Sequence, residues 1–395
     1  MSEVANIPQL RFPGFSDEWE ERPLKDVSTF FNGKAYKQAE LLSSGKYPVL
    51  RVGNFFTNNS WYYSNLELDE NKYCDNGDLL YAWSASFGPR IWAGEKVIYH
   101  YHIWKVINHS QVTKKFLFIV LDNETAKMKA QSANGFALLH ITKGTIENWK
   151  INLPTRQEQQ KIAAFLTAVD SKIEQLSKKK ALLGEYKKGL MQQIFTQEIR
   201  FKAGDGSDFP DWEEKKLGDV FEIKAGQSKS KHIKKDGKNI IVDMGGISSE
   251  PKLVAKKLTD YDDDFLTTND LVMPKDDIGG GLIIGKVAEI PENNKYICGD
   301  HIYKLTVVNG NITFLKYAIN SYQVNKSFRQ KANGTAQIGL SRKEVENQLL
   351  SFPSLKEQTK IANFLSSIDS KIEQVGKQLN ESKQFKKALL QQMFV

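Results

Sequence analysis

Residues 154–195 read PTRQEQQKIAAFLTAVDSKIEQLSKKKALLGEYKKGLMQQIF, and residues 353–394 read PSLKEQTKIANFLSSIDSKIEQVGKQLNESKQFKKALLQQMF. The two stretches align without a gap at an offset of 199, and 21 of 42 positions are identical. Asp170-Ser171-Lys172-Ile173-Glu174-Gln175 recurs unchanged as Asp369-Ser370-Lys371-Ile372-Glu373-Gln374. Identity of this density over one continuous segment marks an internal duplication.

Each copy reads as one long helix. Thr155-x-x-Glu158 and Ser354-x-x-Glu357, each just after a proline, have the form of a capping box. The hydroxyl takes a free backbone N–H, and the glutamate is expected to reach back to the cap's own N–H. Apolar residues then recur every seven: Ile162, Val169, Leu176, Leu183 and Leu190, beside a second seam of Leu166, Ile173 and Ile194. The other copy has Ile361, Ile368, Val375 and Leu389, beside Leu365, Ile372, Leu379 and Met393. Lys180, Lys187, Ser382 and Lys386 interrupt the seams. Heptads this long indicate coiled-coil helices, each spanning about 60 Å at about 1.5 Å per residue. Two arrangements satisfy the pattern: long core helices in separate domains, or two helices paired with each other. Matched lengths and matched interruptions favour pairing, and short links to the neighbouring domains favour an antiparallel pair with a pseudo-two-fold axis.

The repeat continues beyond the helices. Leu10-Arg11-Phe12 is echoed by Ile199-Arg200-Phe201, Trp19 by Trp212, and Leu24-Lys25-Asp26-Val27 by Leu217-Gly218-Asp219-Val220. His102-Ile103-Trp104-Lys105 returns as His301-Ile302-Tyr303-Lys304, Ala133-Asn134-Gly135 as Ala332-Asn333-Gly334, and Glu147-Asn148 as Glu346-Asn347. Between these anchors the halves differ almost completely, so one frame carries two fillings. Short apolar runs such as 47–52, 78–82, 96–98, 103–107, 282–290 and 302–308 predict strands, and 116–131 and 314–330 predict helices. The expected fold class is α+β: globular domains at 1–153 and 197–352, and helices at 154–196 and 353–395.

Two variable domains alternating with two near-identical helices resemble the specificity subunits of type I restriction-modification enzymes. The motifs that carry the likeness are (L/I)-R-F…(D/E)-W…L-x-D-V at each domain start, then P-x-x-x-E-Q-x-K-I-A-x-F-L running through D-S-K-I-E. The resemblance implies that each domain reads one half of a split double-stranded DNA target. It implies that the helices set the spacer and dock two methyltransferase subunits acting on adenine N6, with motor-nuclease subunits in the full complex. S-adenosylmethionine, ATP and magnesium are then expected on those partners, with no cofactor bound by this chain and no catalysis of its own.

Other chemistries find little support. The two cysteines, Cys74 and Cys298, are too few for a disulfide framework or a zinc cluster. No apolar run suggests a membrane span or a secretory signal, and a cytoplasmic protein is expected. An amino-methyltransferase needs Asn/Asp-Pro-Pro-aromatic, and no proline here precedes another. Gly280-x-x-x-x-Gly285-Lys286 imitates a phosphate loop, but Val287 stands where Ser/Thr belongs. Pro210-Asp211 and Glu213-Glu214-Lys215 are too close together for a nuclease site, and Asp17-Glu18-Trp19 lacks the lysine. Trp19 and Trp212 read as packing anchors, His100, His102 and His301 as structural, and Asp262-Asp263-Asp264 as a solvated loop. Rival functions are a coiled-coil scaffold without sequence-specific DNA recognition, an enzyme with two active domains, and the specificity part of a related restriction system. The divergent fillings disfavour the first, and the lack of a repeated catalytic constellation disfavours the second.

Candidate DNA contacts are polar residues in turns away from the frame. In the first domain they are Lys34, Tyr36, Lys37, Arg51, Asn54, Ser84, Ser86 and Arg90. In the second they are Gln227, Ser228, Lys229, Lys231, Lys275, Asn333, Thr335 and Gln337. Gly33 and Gly226 align, marking a shared turn. Candidate partner or interhelix contacts are Ile162, Leu166, Val169, Ile173, Leu176, Leu183 and Leu190, with Ile361, Leu365, Ile368, Ile372, Val375, Leu379 and Leu389. The net charge is +8, of which the first helix holds +4 and the second +3. The helix lysines are either a solvated face or a surface for partners and spacer phosphates. Because phosphate contacts supply most non-specific affinity and the domains are nearly neutral, the isolated chain should bind DNA weakly and gain affinity with its methyltransferases. A titration showing nanomolar, salt-resistant binding by the chain alone would contradict this.

Overall fold

The computed structural model describes residues 6–56, 58–84, 87–132, 141–278, 280–334 and 338–394. The two long helices run over Arg156–Phe195 and Leu355–Met393. Their caps are half of what the sequence predicts. Thr155 Oγ1 and Ser354 Oγ each accept the backbone N–H three residues on, at 3.4 Å. Glu158 and Glu357 do not reach back to the cap. Both are fully buried and bind arginines from the strand-like arm that precedes each domain. Arg11 Nε and Nη2 donate to Glu158 at 2.7 and 2.8 Å. Arg200 Nη2 donates to Glu357 Oε2 at 3.0 Å, and Trp212 Nε1 donates to the same oxygen at 3.1 Å. A full charge is the stronger partner for a buried carboxylate, so the ion pair displaces the box. The next residues, Gln159 and Gln358, are also buried. Their side-chain amides donate to Pro154 O and Pro353 O, and their carbonyls accept Thr113 N and Asn311 N. Each helix start is thereby tied to its domain.

The chain divides into two compact units. Unit 1 holds residues 1–177 and 378–395, and unit 2 holds 178–377. Each therefore contains half of each long helix.

In unit 1 a pair of strands, Glu20–Pro23 and Lys150–Leu153, brings the two ends of the domain together. Between them lies an antiparallel sheet in the order Ser28–Asn32, Ile103–Asn108, Leu79–Ala82, Gly88–Ile91. A second sheet has the order Tyr62–Ser64, Tyr47–Leu50, Val97–Tyr99, Tyr73–Cys74, with its two central strands parallel. The helix Lys114–Ser132 covers the first sheet, as the sequence predicts. The core gathers Trp19, Phe30, Trp104, Phe116 and Leu121 with Ile162 and Leu166 from the start of the first long helix. Leu389 and Met393 from the end of the second join it.

Unit 2 repeats this plan. Glu213–Lys216 pairs with Leu349–Phe352. One sheet runs Phe221–Ala225, Ile302–Val307, Asp270–Pro274, Ala288–Glu289, and another runs Ile233–Lys234, Lys257–Thr259, Asn239–Val242, Tyr296–Cys298. Asn239–Val242 and Tyr296–Cys298 are again parallel. The sequence is unlike that of unit 1 here, but the order of the first sheet is shared; in the second, Tyr296–Cys298 lies at the edge and Ile233–Lys234 is added at the other edge, whereas both parallel strands of unit 1 are central. Two predictions need correction. The strand expected over 282–290 is reduced to Ala288–Glu289, because Gly285 adopts φ +67 and turns the chain. The helix expected over 314–330 is two helices, Ile312–Ile319 and Tyr322–Lys331. Asn320 leaves the helix between them to bond Val287 on both its N–H and its carbonyl. The core joins Phe221, Leu305 and Phe314 with Ile194 from the end of the first long helix and Ile361 and Leu365 from the start of the second.

In each unit the long helices are antiparallel. The predicted seam residues Ile162, Leu166, Leu176, Ile361, Leu365, Ile368, Val375, Leu379 and Leu389 are buried. Val169, Ile173, Leu183, Leu190 and Ile372 are half-buried. Two of the interruptions have a shared purpose. In unit 2 Lys187 Nζ bonds both oxygens of Asp369, at 2.6 and 2.8 Å. In unit 1 Lys386 Nζ lies 2.7 Å from Asp170 Oδ1. Lys187 and Lys386 occupy one repeat position, and Asp170 and Asp369 another, so the contacts are reciprocal. Such charge pairs add little net stability but penalise a slipped register. Surroundings differ. Tyr317 donates its hydroxyl to Asp369 at 2.6 Å and lies under Lys187 Nζ, whereas Asp122 sits near the Asp170 pair. Burial raises the Asp122 carboxyl above its ordinary range; Lys386 lowers it and Asp170 raises it.

Lys187→Asp should cost on the order of 1 kcal/mol in urea unfolding, and adding Asp369→Lys should recover most of it. A double variant no more stable than the single one would show that the pair does not recognise its partner's charge.

Candidate nucleic-acid interface

The turn marked by the aligned glycines is built by close backbone approach. A Cβ at Gly33 would overlap the carbonyl oxygens of Tyr99 and His100, and a Cβ at Gly226 that of Gly299. The frame thus brings the segment after each glycine against the end of a strand, Val97–Tyr99 in unit 1 and Tyr296–Cys298 in unit 2.

In unit 1, Lys34 pairs with Glu40 at 3.4 Å and lies over the Tyr36 ring. Tyr36 stacks on His100, and its buried hydroxyl has no hydrogen-bond partner among the described residues. His100 adjoins His102, with ring centroids 4.8 Å apart. Burial, then His102 and Arg51, lowers His100 to about 4, so it is neutral at physiological pH. No group of three or more metal-ligating side chains occurs among the described residues. Lys37 is exposed. Arg51 lies 4.3 Å from the Tyr62 ring centroid, and Arg90 lies 5.2 and 5.8 Å from those of Phe56 and Phe55. Phe55 and Phe56 belong to the short helix Val52–Phe56, whereas Tyr62 lies on the neighbouring strand opposite Val49. Asn54 is committed internally: its Nδ2 donates to Asn58 O and Ser60 O, and its Oδ1 accepts Arg51 N. It holds the loop rather than facing a ligand. Ser84 is buried and leaves the candidate set for that reason. Ser86 lies outside the described residues.

In unit 2, Gln227, Ser228 and Lys231 are exposed. Lys229 is not. Its side chain is 6% exposed, 3.4 Å from Asp264 and under the Tyr261 ring, so it acts inside the fold. Lys275 pairs with Asp300 at 3.3 Å. Asn333 is exposed, with Nδ2 donating to Lys331 O. Thr335 and Gln337 lie outside the described residues. His301 has φ +61 and is held by Asp276 Oδ2, 2.6 Å from Nδ1. Sequence reasoning missed Lys235, Lys238 and Lys256. All three are exposed and flank the strands Ile233–Lys234 and Lys257–Thr259. Lys234 and Lys257 in the same sheet are neutralised by Asp260 and Asp243. The run Lys229-Ser-Lys-His-Ile-Lys-Lys-Asp-Gly-Lys238 carried the signal: five lysines against one aspartate.

Two different cationic surfaces on one repeated scaffold are what a reader of two unlike sequences requires. The family model described as the type I restriction modification DNA specificity domain matches residues 16–184 and again 210–383. The chain belongs to the type I restriction-modification specificity family. Its likeness to the MjaVIII specificity subunit of Methanocaldococcus jannaschii is 27% identity, over 96% of this chain and 92% of that one. To the EcoBI specificity subunit of Escherichia coli it is 20%, over 93% and 82%. The crystal structure of a type I S subunit from M. genitalium shares the fold, with TM-score 0.64 and 15% identity over 98% of this chain and 99% of that one. A structure from work on type I complex assembly and conformational transition matches at TM-score 0.57 and 16% identity, over 96% and 98%. Among the described residues of this specificity-family chain, no helix is long and apolar enough to cross a membrane.

Lysines that touch phosphates give a salt dependence. Replacing Lys235 and Lys238 by alanine in the assembled DNA complex should flatten the plot of log affinity against log salt. The slope should change by about 0.9 per lost contact, with no change in sequence preference. An unchanged slope would remove this surface from the interface.

Proposed function

We propose that this chain is the target reader of a type I restriction-modification enzyme. Each domain recognises one half of a two-part sequence in double-stranded DNA. The long helices hold the two readings at a fixed spacing and dock two adenine-N6 methyltransferase subunits, with motor-nuclease subunits joining in the full enzyme. The chain performs no bond-making step. S-adenosylmethionine, ATP and magnesium serve the partners, and the assembly works in the cytoplasm, where its DNA lies.

The observation that carries this reading is one frame used twice, with the same first-sheet order and the same terminal strand pair, but with different cations on it: arginines on aromatic rings in unit 1, lysines in unit 2. Packing alone would not require the two surfaces to diverge while their frames stay so alike. Sequence-dependent recognition does, because each base pair presents its own donors and acceptors. Helices of 40 and 39 residues suit this reading, since a reader of separated half-sites must match their spacing. A methyltransferase must also extrude its target base, and a subunit gripping the duplex on both sides suits that.

Co-expressing the chain with the methyltransferase of its own system and mapping N6-methyladenine across a genome should yield one split motif. Exchanging residues 200–350 for another family member's segment should alter one half of the motif and leave the other. Co-purification without any motif would instead make the chain a scaffold.

A further inference from the structure

The chain has eight arginines, all among the described residues. Six are occupied. Arg11 and Arg200 bind the buried glutamates. Arg22 pairs with Glu20 and Arg342 with Glu346. Arg156 donates to Ser110 O, and Arg329 donates twice to Asn325 Oδ1. The guanidinium groups of Arg51 and Arg90 have only aromatic neighbours among the described residues. Arg51 Nε is buried with no acceptor among the described residues.

A guanidinium laid on a ring keeps its in-plane N–H donors free while its orientation is fixed. Here the platform is itself braced. Asn54 ties Arg51 N to the carbonyls of Asn58 and Ser60, and Phe55 is buried beneath the same short helix. Each arginine therefore lies on a ring held by the fold of unit 1: Arg51 on Tyr62, packed against the cluster of Val49, Tyr73 and Ile98, and Arg90 on Phe55 and Phe56, which pack with Leu50 and Leu80. Every arginine of unit 2 is taken, and its exposed cations are lysines.

We propose that Arg51 and Arg90 are base readers that recognise guanine in the half-site bound by the first domain. Guanine presents two neighbouring acceptors, O6 and N7, in the major groove, and a fixed planar fork matches both. A lysine serves a phosphate equally well but cannot make that bidentate contact. Their freedom from internal carboxylates leaves those donors that reach solvent for DNA. This assignment rests on the target-reader function proposed above.

The test is Arg51→Lys and Arg90→Lys, each made in the full chain and assembled with the methyltransferase of its system. Lysine keeps the positive charge and loses the fork. Methylation motifs are mapped, and affinities are measured for duplexes substituted singly at each position of the target. Each variant should lose on the order of 10- to 100-fold discrimination at one guanine of one half-site. Recognition of the other half-site is the internal control for folding. A uniform loss over all sequences, restored by lowering the salt, would make these arginines phosphate contacts and overturn the proposal. So would unchanged discrimination, or a first half-site without guanine. If the unaltered complex gave no split motif, the target-reader function itself would fall.

Discussion

Each half of this chain depends on a carboxylate buried where a long helix begins. Glu158 and Glu357 are shielded from water, and each is neutralised by an arginine far upstream in sequence. Desolvating two charges is expensive, and the attraction between them roughly offsets it when geometry is good. Removing one partner is another matter, because a stranded buried charge costs several kcal/mol. The pair thus acts as a condition on the fold. A helix start, the arm before the domain and the domain core come together correctly or the carboxylate stays unpaired. The two pairs are not identical: Trp212 adds a hydrogen bond to Glu357, whereas the buried Trp19 Nε1 has no partner among the described residues.

Around those pairs the frame is specified by several small agreements. The glutamines after the glutamates satisfy backbone groups of the neighbouring domain. The helices place leucine and isoleucine in the domain cores at their ends, and reciprocal lysine–aspartate pairs lie further along. Hydrophobic burial supplies most of the favourable energy, but it is indifferent to a shift of one heptad. The charge pairs are not, which is why positions that look like faults in the repeat carry order.

Much of this was legible in the sequence, and for identifiable reasons. A helix of 40 residues leaves a period that no other structure imitates, and duplication allows each copy to check the other. The capping boxes were half legible, since a local motif cannot announce that Arg11 or Arg200 will take its glutamate. The fillings were hardest. Their strands are short and paired across long gaps, two of them in parallel, and such pairings leave no local period. The site was legible as composition only. Lys229 and Lys231 are two residues apart, and one is buried against Asp264 while the other faces water. Likewise nothing in the letters separates Arg51 and Arg90, whose guanidinium groups meet no acceptor among the described residues, from Arg22 and Arg342, which pair with glutamates. Partnership is a property of the folded chain.

The strands Glu20–Pro23 and Lys150–Leu153 lie side by side, as do Glu213–Lys216 and Leu349–Phe352. Each variable segment therefore leaves the frame and re-enters it at neighbouring points, like a cartridge whose two terminals share one socket. Recombination between related genes needs crossovers only within those short strands, where pairing is through backbone amides and is largely indifferent to side chains. An entire reading surface is then exchanged while both halves of the ion pair stay behind. Selection for new DNA targets can act on such a chain by replacing one cassette at a time, without first having to rediscover a way to fold.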